Sequence, residues 1–154
     1  MIPGAWHGGW SWAPVAQRLR SAGHSAISVT LPGLGEGEKP HGHRLSDAAD
    51  HIVQLIKDRD LTDVVLVGRG WGGYPINGAA GRLTGRLVGV VYWSAQIPVP
   101  GRSLVDDNPP ESAAMLHQMI DSSPTRSIVP MLQFVEQISM QDSAPETQRL
   151  EPVC

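Results

Sequence analysis

Apolar positions along this chain change their spacing several times, and each change marks an element. Residues 13–23 set Val15, Leu19 and Ala22 at i, i+4 and i+7, which predicts a helix whose apolar face covers a sheet while Arg18 and Arg20 reach water. Ser11 reads as its N-cap, Pro14 falls in its first turn and Gly23 stops it. Residues 26–31 predict a short strand. Residues 46–60 bring Ala49, Ile52, Val53 and Ile56 onto one face behind a Ser46 cap, which predicts a second amphipathic helix. Residues 87–93 are apolar throughout, the pattern of a strand covered on both faces.

Between the last two lies the stretch Val64-Val65-Leu66-Val67-Gly68-Arg69-Gly70-Trp71-Gly72-Gly73-Tyr74-Pro75-Ile76. A β-branched run breaks into a glycine-rich turn and then into Asn77-Gly78-Ala79-Ala80-Gly81, small residues that let a helix pack closely. That is a strand-turn-helix corner, and strands alternating with helices favour a parallel sheet with right-handed crossovers. From Gln96 the character changes. Ile97-Pro98-Val99-Pro100-Gly101 and Asn108-Pro109-Pro110 read as linkers, with helices predicted over residues 111–121, 128–140 and 145–150. Met115, Met119, Met131 and Met140 read as adaptable packing of those helices.

The corner resembles the nucleophile elbow of the α/β-hydrolase superfamily, in its small-molecule esterase and hydroxynitrile-lyase-like branch. Arg69 stands where His is common, Gly70 stands where Ser is common, and Gly68, Gly72 and Gly73 leave the room a tight elbow needs. Pro3-Gly4-Ala5-Trp6-His7-Gly8-Gly9-Trp10-Ser11-Trp12 is similar to the family's oxyanion loop. Leu31-Pro32-Gly33-Leu34-Gly35 is similar to its Pro-Gly-x-Gly turn, and Val91-Tyr92-Trp93-Ser94-Ala95 to its following strand. The resemblance implies an α/β fold, a partial α/β-hydrolase with a mainly parallel sheet flanked by helices and an incomplete helical cap. Residues 1–95 would form the N-terminal part of the core and residues 96–154 a truncated cap.

The same resemblance bears on chemistry. The nucleophile position is vacant, because Gly70 has no hydroxyl; the backbone N–H groups of Ala5 and Trp71 would form the oxyanion hole. Of the family strand before the oxyanion loop only Met1-Ile2 remain, and the strands expected to bring the catalytic acid and His lie beyond residue 154. The expected protein cannot carry out serine-dependent hydrolysis. An alternative is a lyase or proton-transfer enzyme using the retained hollow with His7 as acid or base; the plainer role for His7 is to fix its loop by hydrogen bonding.

Other residues have two readings each. Trp6, Trp10, Trp12 and Trp71 either line an apolar pocket or pack in the core, with Trp71 favoured as pocket, and Ser94 is expected to line the crevice as a polar residue. Arg69 either attracts an acid or is solvated. Gly68, Gly70 and Gly73 also satisfy the dinucleotide pattern G-x-G-x-x-G, but the acidic residue it needs about 20 positions on is replaced by Ser94. Glu36, Glu38, His41 and His43 crowd one loop without rigid ligand spacing, so no metal and no cofactor is expected.

Composition narrows the partners. With 154 residues, 41% hydrophobic content and a formal charge of −3 spread without blocks, the chain suits a folded domain and not a polyanion-binding surface. No apolar run approaches the roughly 20 residues that cross a bilayer, and the first residues do not read as a signal peptide. The single cysteine, Cys154, cannot form an intrachain disulfide. The expectation is a cytoplasmic protein, with a small apolar ester-like or carboxylate ligand, no nucleic-acid or membrane partner, and a homo-oligomer or second chain completing the sheet.

Overall fold

A computed structural model describes residues 1–39 and 41–128. A 3-10 turn, Gly9–Trp12, leads directly into α1 (Ala13–Ser21), and α2 (Leu45–Asp58) follows a long loop. Then come β1 (Val64–Gly70), α3 (Gly73–Ala80), β2 (Leu87–Ala95) and α4 (Pro110–Ser122). β1 and β2 pair in parallel with Leu66 opposite Val90 and Gly68 opposite Tyr92, and irregularities near Val64 and Arg69 leave Val88 and Ser94 as extra residues in β2. This is a partial α/β-hydrolase fold, a parallel sheet with helices around it.

The core forms where α2 and α3 meet one face of the sheet. Ala48, Ile52, Val53 and Ile56 of α2 are buried with Leu66 of β1, Ile76 and Ala79 of α3, and Leu83. The face read from the periodicity of α2 is the one that packs. Its start differs: Arg44 is the N-cap and its N–H donates to Asp47 Oδ2 at 2.8 Å, while Ser46 Oγ donates only to the neighbouring Asp47. An acidic side chain in the first turn accepts from an N–H that the helix cannot satisfy itself.

Three further expectations need correction. In α1 the buried residue is Ala16, at 0% exposure, whereas Val15 and Leu19 are 43% and 37% exposed and Ala22 lies past the helix end. The helix approaches through its smallest side chain, with Trp12 buried at its start, and this rotates the inward face by one position. Trp12 is the N-cap without a side-chain bond, and Ser11 Oγ turns back to donate to Gly8 O at 2.9 Å.

Residues 26–31 form no strand. Their neighbour is Met1-Ile2. Ile2 N–H donates to Val67 O at 2.7 Å and Arg69 N–H to Ile2 O at 3.1 Å, while on the other side the Met1 amine donates to Ile27 O at 2.7 Å and Val29 N–H to Met1 O at 3.1 Å. Two residues bridge the two segments, which is too short a run for a ladder.

Among the described residues β2 is covered on one face only. Leu87, Val90 and Tyr92 pack on the core, whereas Val91 and Trp93 are 42% and 61% exposed. The helix predicted over 111–121 corresponds to α4; those predicted over 128–140 and 145–150 lie outside the described residues apart from Ile128.

Candidate functional site

The corner between β1 and α3 is built by close approach. β1 ends at Gly70 with φ +53°, Gly72 N–H donates to Arg69 O at 2.8 Å, and Gln96 N–H donates to Gly70 O at 3.0 Å, so the turn is tied to the end of β2. A Cβ on Gly68 would lie 2.7 Å from Gly72 O, one on Gly72 2.6 Å from Pro3 O, and one on Gly73 2.0 Å from Gln96 O. These contacts are with backbone, which cannot move aside as a flexible side chain can. The apex differs: a Cβ on Gly70 would meet only the Gly4 Cα, at 3.8 Å. Gly68 and Gly73 thus have packing reasons that need no dinucleotide.

The loop carrying Gly4 and Ala5 lies against this apex. Its conformation is held by His7, which is 6% exposed; since a carbonyl can only accept, Nδ1–H donates to Ala5 O at 2.7 Å and the proton sits on Nδ1. The imidazole also lies 5.6 Å from the Trp10 ring at an interplanar angle of 33°. Among the described residues, neither the Ala5 N–H nor the Trp71 N–H donates to a protein acceptor. A backbone donor left open at a corner is available to a ligand oxygen.

The tryptophans divide. Trp6, with φ +64°, donates its indole N–H to Ile128 O at 3.0 Å and so ties the loop to the segment after α4. Trp12 is buried and meets Trp93 edge-on at 6.4 Å, Trp10 is exposed, and Trp71 is half-buried against the core. Ser94 is the extra residue at the end of β2, exposed and with φ +41°. Arg69 is half-buried opposite Trp93 and its guanidinium makes no ion pair among the described residues.

The histidine-rich loop borders an open polar depression of about 740 Å³ that includes Glu38, His41, His43 and His51. Glu38 accepts from Gly33 N–H at 2.7 Å. No group of three or more His, Cys, Asp or Glu side chains suited to a metal ion occurs among the described residues. The sequence reading missed Tyr74, which is buried and donates to Asp107 Oδ2 at 3.1 Å; burial, then this bond, raises the phenol's pKa. Asp107 also pairs with Arg102 at 2.9 Å. The link joins α3 to the linker before α4 across 33 positions, a separation no local pattern signals.

A parallel sheet whose crossover from β1 to β2 opens on a glycine-walled elbow, faced by the Gly4-Ala5 loop, fits the alpha/beta hydrolase class, and the chain belongs to the alpha/beta hydrolase family, whose model matches residues 1–149. Among relatives, a carbendazim hydrolyzing esterase of Nocardioides sp. (strain SG-4G) is 36% identical over 107 residues, covering 68% of this chain and 44% of that protein. Methyl jasmonate esterase 1 of Vitis vinifera is 29% identical over 107 residues, 68% of this chain and 41% of that protein. Among solved structures, an extracellular alpha/beta-hydrolase from a Paenibacillus species superposes with a TM-score of 0.87 at 25% identity, over 97% of this chain and 61% of its own. The chain therefore spans less than half the length of these two curated relatives. No helix among the described residues is long and apolar enough to cross a membrane.

Proposed function

We propose that this chain is a hydrolase-fold protein that holds a small ester-like or carboxylate ligand at the hollow between Ala5 and Trp71 and does not hydrolyse it through a serine. The observation that carries this reading is the apex residue: Gly70 has the left-handed backbone of an elbow, φ +53°, and no side chain to attack with. Backbone donors do not depend on side-chain identity, so the Ala5 and Trp71 N–H groups keep their use when the nucleophile is lost. The N-terminus of α3 adds a dipole favourable to negative charge. Esterases among the relatives support the ligand class. On this reading no residue of the chain supplies the acid and His of a triad, residues 96–154 belong to a helical roof, and the protein works in the cytoplasm.

The scale of the loss is large. In a serine protease, removing Ser or His lowers turnover about 10⁶-fold. With p-nitrophenyl acetate the expected result is no burst and no turnover above buffer for the wild type, and at most slow acylation for Gly70→Ser. With benzoate as probe, the Ala5 and Trp71 amide NMR signals are expected to shift. Turnover by the wild type overturns the proposal.

A second reading, lyase or proton-transfer chemistry with His7, draws on an alpha-hydroxynitrile lyase of Arabidopsis thaliana, 27% identical over 101 residues. It requires a pH-dependent activity that His7→Ala abolishes.

A further inference from the structure

Two neighbours close on Gly4. A Cβ built on it would stand 3.4 Å from Arg69 O and 3.7 Å from Arg69 Nη1, and one built on Gly70 would stand 3.8 Å from the Gly4 Cα. The Arg69 guanidinium and the vacant apex therefore meet across a single glycine, next to the peptide that carries the Ala5 N–H. β1 puts the guanidinium there: Arg69 is the last residue before the apex, it is half-buried, and its neighbour in the register is the uncharged Trp93. Among the described residues its side chain makes neither a hydrogen bond nor an ion pair, whereas Arg82, Arg86, Arg102 and Arg126 each meet an aspartate. The backbone around it is strained at Trp6, with φ +64°, and at Ser94, with φ +41°, the extra residue between the pairings of Arg69 and Gly70. Strain of this kind clusters at ligand clamps.

We infer that Arg69 makes this hollow selective for a small carboxylate over the neutral ester of the same acid, a narrowing of the ligand class that rests on the reading of Ala5 and Trp71 as open donors. The acceptors decide it. An ester offers its carbonyl oxygen to the two backbone N–H groups and gives the guanidinium nothing charged to pair with, so a half-buried cation stays uncompensated. A carboxylate has two charged oxygens: one takes the backbone donors and the other takes Arg69, in a charge-assisted bond about twice as strong as a neutral one. Gly70 keeps open the space beside Gly4 into which a side chain would project, and that space is where the second oxygen fits.

The test is an NMR titration of the 154-residue chain with benzoate and with its neutral counterpart, methyl benzoate. Wild type is expected to bind benzoate roughly tenfold or more tightly than methyl benzoate, read from the Ala5 and Trp71 amide signals, with the Arg69 Nε–H signal moving for benzoate only. Arg69→Gln, with the circular dichroism of wild type, is expected to weaken benzoate by a similar factor and to leave methyl benzoate unchanged. Arg69→Lys keeps a charge without the planar fork and is expected to fall between. Arg18→Gln removes an equal charge from an exposed position on α1 and is expected to change neither. Equal affinity for the two probes, or benzoate binding indifferent to Arg69→Gln, overturns the selectivity and leaves the hollow itself intact. A loss in Arg18→Gln as large as in Arg69→Gln also overturns it, since net charge is then the cause. If neither probe moves Ala5 or Trp71, the hollow and its selectivity fall together.

Discussion

Gly70 faces Gly4 across the corner with space between them: a Cβ built on Gly70 would stand 3.8 Å from the Gly4 Cα and meet nothing closer. What opposes a side chain there is the backbone, since φ is +53° and an L-residue in that region is disfavoured by roughly 1–2 kcal/mol. Gly70→Ala and Gly70→Ser are therefore expected to fold, each with a melting temperature lowered by roughly 2–8 °C for a chain of this length. Thermal unfolding followed by circular dichroism checks this.

Three residues further on, the same substitution should behave differently. Gly73→Ala would drive a Cβ to 2.0 Å from Gln96 O, and relief requires α3 to separate from the end of β2. A loss of about 3 kcal/mol or more is expected, read from urea unfolding. A Gly73→Ala protein as stable as Gly70→Ala would contradict the packing described.

His7 holds the loop through one bond. Removing its Nδ1–H leaves Ala5 O without its 2.7 Å donor and opens a void where a buried ring stood. His7→Ala is expected to lose about 2 kcal/mol. Amide hydrogen exchange should quicken across residues 5–9 before it quickens in α2, and uniform protection in the variant would show that the loop is held by something else.

The Met1 amine provides a pH dependence. Burial lowers its pKa to about 6 from 8.0, while it donates to Ile27 O. Between those values the unfolded chain binds more protons than the folded one, so stability rises as pH goes from 6 to 8 and is flat with respect to this group above and below. For a chain with a free amine the rise is expected to be about 2 kcal/mol, measured by urea unfolding at pH 5.5 and 8.5. Acetylation of the amine should remove it.

The parts of the fold legible in the sequence are those that depend on near neighbours. The α2 face needs only the spacing of Ala49, Ile52, Val53 and Ile56, and the corner needs only a β-branched run that meets Gly68 through Gly73. The inward face of α1 is not legible, because Val15 and Leu19 satisfy the periodicity while Ala16 is the residue that is buried. Residues 26–31 have strand composition, yet a strand exists only if a partner lies beside it, and the partner here is two residues long.

The sequence by itself determined that the apex of the corner has no hydroxyl, that glycines surround it, and that the strands and helices alternate; these are properties of identity and local spacing. Only the tertiary structure decided that Gly73 is required by Gln96 O while Gly70 is not required by any neighbour among the described residues, that the His7 proton points at Ala5, that Tyr74 reaches Asp107, and that Val91 and Trp93 of β2 stay exposed. The reason is physical: periodicity states which side of an element is apolar, whereas what that side touches is settled by atoms brought together from distant parts of the chain.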